Sequence, residues 1–203
     1  MSANPSRTTP AAHVAAVLEE QVLAQLSVSA AAQESQLDAV GSALATLTGQ
    51  LRATELADLP AFWTCLERVC TCVHSMHGVE SGRQGERLTA LAGAALRFIR
   101  NLVAGEPRNQ QAAVNCGADR LALSVIAKGI NDRLATRVAI QTLCNLVTGN
   151  AAVRDVLWTH MLADDAETEW HTLSLLARAS DSATRTALLV FVLNAIKNDA
   201  AAR

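Results

Sequence analysis

Leu96-Arg97-Phe98-Ile99-Arg100-Asn101-Leu102-Val103-Ala104-Gly105 and Ile140-Gln141-Thr142-Leu143-Cys144-Asn145-Leu146-Val147-Thr148-Gly149 are one passage written twice, 44 residues apart. Both are apolar at the first, seventh and eighth places, carry Asn at the sixth and end on Gly. A looser third copy, Leu189-Val190-Phe191-Val192-Leu193-Asn194-Ala195-Ile196-Lys197-Asn198, follows 49 residues further on. A period of this length is the mark of stacked helical units, each too thin to bury its own apolar face and therefore dependent on its neighbours. The expected fold is all-α, a right-handed helical solenoid.

Within one period the turn residues divide the chain into three helices. Gly105 can end a helix and Pro107 cannot continue one, so a short helix is expected over about 108–116, stopped by Gly117. A second opens at Asp119 and ends at Gly129, and a third, capped by Asn131 or Asp132, runs through Asn145 to Gly149. In that third helix Leu134, Val138, Ile140 or Gln141, Leu143 and Val147 are expected to be buried, and in the copies Leu96, Phe98, Ile99, Leu102, Leu146, Val192 and Leu193. The five extra residues of the last period fall around Asp164-Asp165-Ala166-Glu167-Thr168-Glu169, read as a solvated surface insertion. Trp158 is expected to pack and Trp170 to be partly exposed.

Upstream the apolar spacing is again helical: Val14 to Leu26, Leu37 to Leu51, and Phe62, Leu66, Val69, Val73 and Met76 up to Gly78. The resulting division is a disordered segment over 1–9 and a single solenoid over 10–203, in which 10–81 are divergent N-terminal helices and 86–203 the clearer repeats.

Composition points the same way. Of 203 residues about a fifth are Ala, the best helix former, whereas Tyr is absent and Phe and Trp number three each, which leaves little to fill a pleated sheet. A net charge of −2 with interspersed signs gives no basic field for nucleic acid or an anionic membrane, and no apolar run reaches the length of a bilayer span. The first ten residues lack the basic and apolar regions of a secretory signal, and five irregularly spaced cysteines read as reduced thiols in the cytoplasm or nucleus.

Ala94 to Asn150, with Asn101-Leu102-Val103-Ala104-Gly105, Asn109-Gln110, Cys116-Gly117-Ala118 and Asn145-Leu146-Val147-Thr148-Gly149-Asn150, resembles armadillo repeats of the importin and catenin kind. Within that superfamily Leu143-Cys144-Asn145-Leu146, Val156-Leu157-Trp158-Thr159-His160, Leu173-Ser174-Leu175-Leu176 and the helix from Phe62 to His77 look most like the ataxin-10 proteins. The chain is short for that family and stops at Ala200-Ala201-Ala202-Arg203, so it is expected to be the N-terminal part of a longer protein. The resemblance implies an armadillo-like solenoid that is a non-enzymatic, mostly cytoplasmic scaffold for protein partners, tied to cytokinesis and cell division and to signalling. It also implies that Asn101, Asn145 and Asn194 face a concave groove where such amides hold a peptide backbone. The groove Trp of peptide-binding armadillo proteins is replaced by Arg97, Gln141 and Val190, which argues against nuclear-signal binding.

Asn is a poor residue inside a helix, so its return in every copy means that the amide is used, either on a ligand or on the next repeat. The expected partner-binding face comprises Arg97, Arg100, Asn101, Arg137, Gln141, Asn145 and Asn194. There Arg97 and Arg100 can grip a carboxylate or phosphate, or simply be solvated surface side chains. Cys65, Cys70, Cys72, His74 and His77 crowd thirteen residues, but without paired Cys-x-x-Cys units they do not read as a zinc site, and the cysteines read as buried small hydrophobes. No nucleophile elbow, Walker loop, zincin or dinucleotide motif is present, so neither catalysis nor a metal or cofactor is expected. The alternative function is an armadillo-type nucleotide-exchange co-chaperone of Hsp70, and homo-oligomers are expected to form, if at all, through exposed repeat ends.

Overall fold

A computed structural model describes residues 41, 44, 63, 64, 66–71, 83–128, 133–162 and 181–196. All secondary structure among these residues is helical, with no strand. Six helices have defined bounds: α1 (Arg83–Leu102), α2 (Pro107–Asn115), α3 (Ala118–Lys128), α4 (Arg133–Val147), α5 (Ala151–Leu162) and α6 (Ser182–Ile196). The expected helices before residue 41, the acidic insertion at 164–169 and Trp170 lie outside the described residues.

The turn residues act as the sequence requires. After α1 the chain reverses at Gly105 with φ +74°, and after α4 at its copy Gly149 with φ +71°. Positive φ costs a residue with a Cβ roughly 1–2 kcal/mol, and this is why both copies end on Gly. Pro107 then opens α2 at its first turn, where a missing N–H is harmless. The starts of α5 and α6 use side-chain caps. Val153 N donates to Asn150 Oδ1 (3.2 Å) at α5, and at α6 Asp181 accepts from Thr184 N (2.9 Å) and Thr184 Oγ1 (2.7 Å).

The three copies of the repeated passage lie on α1, α4 and α6. Cross-helix bonds join Leu96 to Thr142 and Arg100 to Asn145 between the first two, and Arg137 to Asp181, Cys144 to Ala187 and Thr148 to Asn194 between the last two. Partner numbers rise together along each pair, so the long helices run parallel, with α4 between α1 and α6 and α3 against α1 and α4. This is helix packing of the kind a helical solenoid uses.

Leu96, Ile99, Leu102, Leu143 and Leu146 are buried, together with Leu121 and Ile126 of α3, and Leu44, Leu66 and Val69 join the same core. Phe98 is buried as well, and Trp158 packs on the core while its Nε1 donates to Ala195 O (3.1 Å) at the end of α6. Truncating a fully buried leucine in such a core costs about 2–5 kcal/mol.

Two expected core positions are exposed. Leu134 is 54% exposed because seven residues return a helix to almost the same azimuth, which puts it on the solvent-side stripe of Gln141 rather than with Val138. Leu193 is 61% exposed, and Val192 only half-buried. Leu193 occupies the place held by Arg100 in α1 and Cys144 in α4. Those are covered by the next long helix, and no described helix follows α6.

Candidate partner-binding face

Each long helix turns one stripe away from the core. On α1 it carries Arg97 and Asn101, both exposed; on α4 Arg137, Gln141 and Asn145, half-buried; on α6 Val190 and Asn194. Parallel packing sets these stripes side by side, so one strip crosses three helices.

Four of the expected site residues meet in the cleft between α1 and α4. Arg100 Nη1 donates to Gln141 Oε1 (2.7 Å) and Arg100 Nε to Asn101 Oδ1 (3.2 Å). Asn145 Nδ2 donates to the backbone carbonyl of Arg100 (2.9 Å). The guanidinium is thereby held flat across the cleft by two amide oxygens, and Arg97 stands one turn before Asn101 on the same stripe. A planar, oriented guanidinium beside an exposed arginine can receive a carboxylate.

The other expected residues lie apart from that group. Asn194 Nδ2 donates to Thr148 Oγ1 (3.1 Å), whose hydroxyl donates to Cys144 O (2.6 Å). Arg137 Nη2 pairs with Asp181 Oδ1 at 3.2 Å. Thr184's side chain and backbone N–H hold the Asp181 carboxyl below its ordinary 3.8, with help from Arg137 and Arg133. Arg137 therefore ties the start of α6 to α4. The three Asn residues are not equivalent: Asn101 accepts from its neighbour, Asn145 braces one long helix against the last, and Asn194 does so through a hydroxyl.

The strongest polar feature is Asn109-Gln110, which the sequence marks only as part of the armadillo resemblance. Asn109 Nδ2 donates to Leu102 O (2.9 Å), at the end of α1. Gln110, fully buried, donates from Nε2 to both Asn145 O (2.8 Å) and Thr148 O (3.0 Å), at the end of α4. The last carbonyls of a helix have no partner within it. Adjacent side chains of α2 thus cap two successive long helices and fix their spacing. Asn150 Nδ2 adds a bond back to Pro107 O (3.3 Å).

The described thiols are placed for packing. Burial raises the Cys70 thiol far above its usual range; burial with nearby Glu67 pushes Cys116 up to about 11; burial pushes Cys144 up to about 12. Cys116 Sγ donates to Trp63 O (3.4 Å) and Cys144 Sγ to Ala187 O (3.6 Å). A protonated thiol is a poor nucleophile and a poor metal ligand. Among the described residues no group of three His, Cys, Asp or Glu side chains is placed to hold a metal, and of the Cys/His cluster only Cys70 belongs to them. Among the same residues no helix is long and apolar enough to cross a membrane.

A scan against models of protein families found no match, and neither did searches of curated proteins and of solved structures.

Proposed function

We propose that the chain is an armadillo-like right-handed solenoid acting as a non-enzymatic scaffold that binds a protein partner along the strip formed by Arg97, Arg100, Asn101, Gln141 and Asn145, with Asn194 at its far end. The observation that carries this reading is the single parallel row of long helices, each turning one stripe outward in register with the next, polar on α1 and α4 and ending at Asn194 on α6. Such a strip suits an extended segment: amides spaced along it can bond a peptide backbone, and Arg97 with the oriented Arg100 favours acidic side chains over basic ones. The resemblance to ataxin-10 proteins supports work in the cytoplasm and in cell division or signalling.

The test is fluorescence anisotropy with labelled extended peptides, one set acidic and one basic but otherwise matched. The acidic set is expected to bind, and Arg97→Glu with Asn101→Ala to abolish binding while the melting temperature stays within a degree or two. Asn145 is left intact because its amide braces α4 against α1. Equal binding of both sets, or binding unchanged in the folded double variant, overturns the assignment.

A further inference from the structure

The bonds inside the cleft between α1 and α4 decide which of its atoms stay open. A guanidinium has five N–H groups and no acceptor, so an amide that meets it must present its oxygen. Arg100 spends Nε on Asn101 Oδ1 and one Nη1 hydrogen on Gln141 Oε1, two of the five, and three remain. The amide nitrogens, Asn101 Nδ2 and Gln141 Nε2, are thereby left as donors with no protein partner among the described residues. Arg97, exposed and three residues before Arg100, adds a second guanidinium.

The charge of this group is not offset. No Asp or Glu stands three or four residues from either arginine, and neither pairs with a carboxylate among the described residues. Arg137, further back on α4, is already paired with Asp181. Like charges three residues apart on a helix repel, and a bound anion relieves this. A carboxylate brings one charge and two oxygens, enough for one guanidinium fork. A phosphate monoester brings a charge of about −1.5 to −2 at neutral pH and three oxygens, which matches two guanidiniums with amide donors beside them.

We infer that this cleft reads a phosphoryl group: it takes a phosphoserine or phosphothreonine of an extended partner segment, with Arg97 and Arg100 on the phosphoryl oxygens and Asn101 Nδ2 and Gln141 Nε2 completing the set of donors. The inference rests on the strip being the seat of an extended segment, and it makes binding depend on a modification of the partner. Gln141 and Asn101 are also positioning residues, since their oxygens hold the Arg100 plane in place. Asn145 ties the subsite to a peptide. Its Nδ2 is spent on Arg100 O, so Oδ1 is left to accept from the backbone N–H of a neighbouring peptide residue, a contact beyond the phosphoryl group itself.

Fluorescence anisotropy on the whole chain tests this with labelled peptides of one sequence carrying phosphoserine, Glu or Ser at the central place. About ten residues suffice to cross three helices about 9 Å apart at about 3.3 Å per residue. The phosphoserine form is expected to bind about ten-fold more tightly than the Glu form, and the Ser form most weakly. Arg100→Lys keeps the charge and loses the planar fork, so it is expected to erase most of that ratio. Its circular dichroism should be unchanged, because Asn145 bonds the backbone carbonyl at this position and not the side chain. Gln141→Leu, which keeps every charge, is expected to lower the ratio as well. Inorganic phosphate is expected to displace the phosphopeptide only in large excess. Equal binding of the phosphoserine and Glu forms overturns the phosphoryl assignment and leaves the strip standing, whereas no binding of either overturns both. A phosphoserine preference that survives Arg97→Gln with Arg100→Lys also overturns it. So does binding to phosphatidylcholine vesicles containing a phosphatidylinositol phosphate as tight as to the phosphopeptide, which would make a lipid surface the source of the phosphoryl group.

Discussion

Replacing Gln110 by Leu keeps the volume and removes the only side chain among the described residues that donates to the carbonyls of Asn145 and Thr148. Leaving a buried carbonyl without a donor costs about 1–3 kcal/mol. Thr148 is exposed, so water can replace the donor there, and most of the loss falls on Asn145 O, in the half-buried cleft. A partial gain offsets it: Gln110 Oε1 is buried with no hydrogen-bond partner among the described residues, and Leu removes that desolvated oxygen. The expected net loss is about 2 kcal/mol, about 30-fold in the folding equilibrium, or roughly 4–8 °C in melting temperature for a chain of this size. Urea unfolding followed by helical circular dichroism measures it, with the slope against urea unchanged. Gln111→Leu is the control, since Gln111 bonds only Asn115 on its own helix (3.1 Å), and it should lie within about 0.5 kcal/mol of the parent. Gln110→Glu sharpens the test. A carboxylate aimed at two carbonyls should cost more than Leu at neutral pH, and acidification should recover part of the loss as the carboxyl regains one donor. A loss below about 0.5 kcal/mol for Gln110→Leu, or one no larger than that of Gln111→Leu, would refute the reasoning that α2 clamps the end of α4.

Three further outcomes are expected. Leu146→Ala, at a fully buried site, should cost about 3 kcal/mol on urea unfolding, whereas Leu134→Ala should cost less than about 0.5; similar values for the two would mean that the faces of α4 are misassigned. Gly149→Ala meets no atom within 4 Å of the new Cβ, so it should lose only the backbone cost of φ +71°, about 1 kcal/mol, and a gain in stability would show that the turn can give way to helix. The Asp181 carboxyl is held below its unfolded value of 3.8, so its stabilising contribution is present above about pH 4 and is lost as pH falls through the lower, folded value. Asp181→Asn should therefore flatten the acid limb of a stability-versus-pH profile, and an unchanged limb would remove Asp181 as a contributor.

The helix boundaries were legible because local chemistry sets them. Gly105, Pro107, Gly117 and Gly149 act within one turn of themselves, and the bounds of α2 and α3 fall within one residue of those expected. Burial was legible where a residue is surrounded whatever the neighbours, as for Leu96, Ile99, Leu143 and Leu146. It failed at Leu193 because the burial of a stacking face is set by what packs against it, which no periodicity within α6 reveals. The Asn series showed that an amide is needed but not for what: whether Asn145 reaches a ligand or the Arg100 carbonyl depends on the separation of two helices 45 residues apart in sequence. Gln110 gave no signal of its own, since a Gln beside another Gln on a short helix looks like any solvated residue until the ends of two other helices are placed beside it.

The bonds that tie each long helix to the next all join residues 41 to 46 apart. Loop-closure entropy grows only with the logarithm of the separation, so every step along the row meets nearly the same entropic barrier and none requires the distant ends of the chain to find one another. Relative contact order then falls as units are added, and assembly can start at whichever neighbouring pair docks first and spread in either direction. During synthesis α1 can be seated as soon as the ribosome has released α4, while the rest of the chain is still unmade. A destabilising change in α6 should accordingly leave the folding rate of the α1 to α4 segment untouched and speed only the release of the last helix.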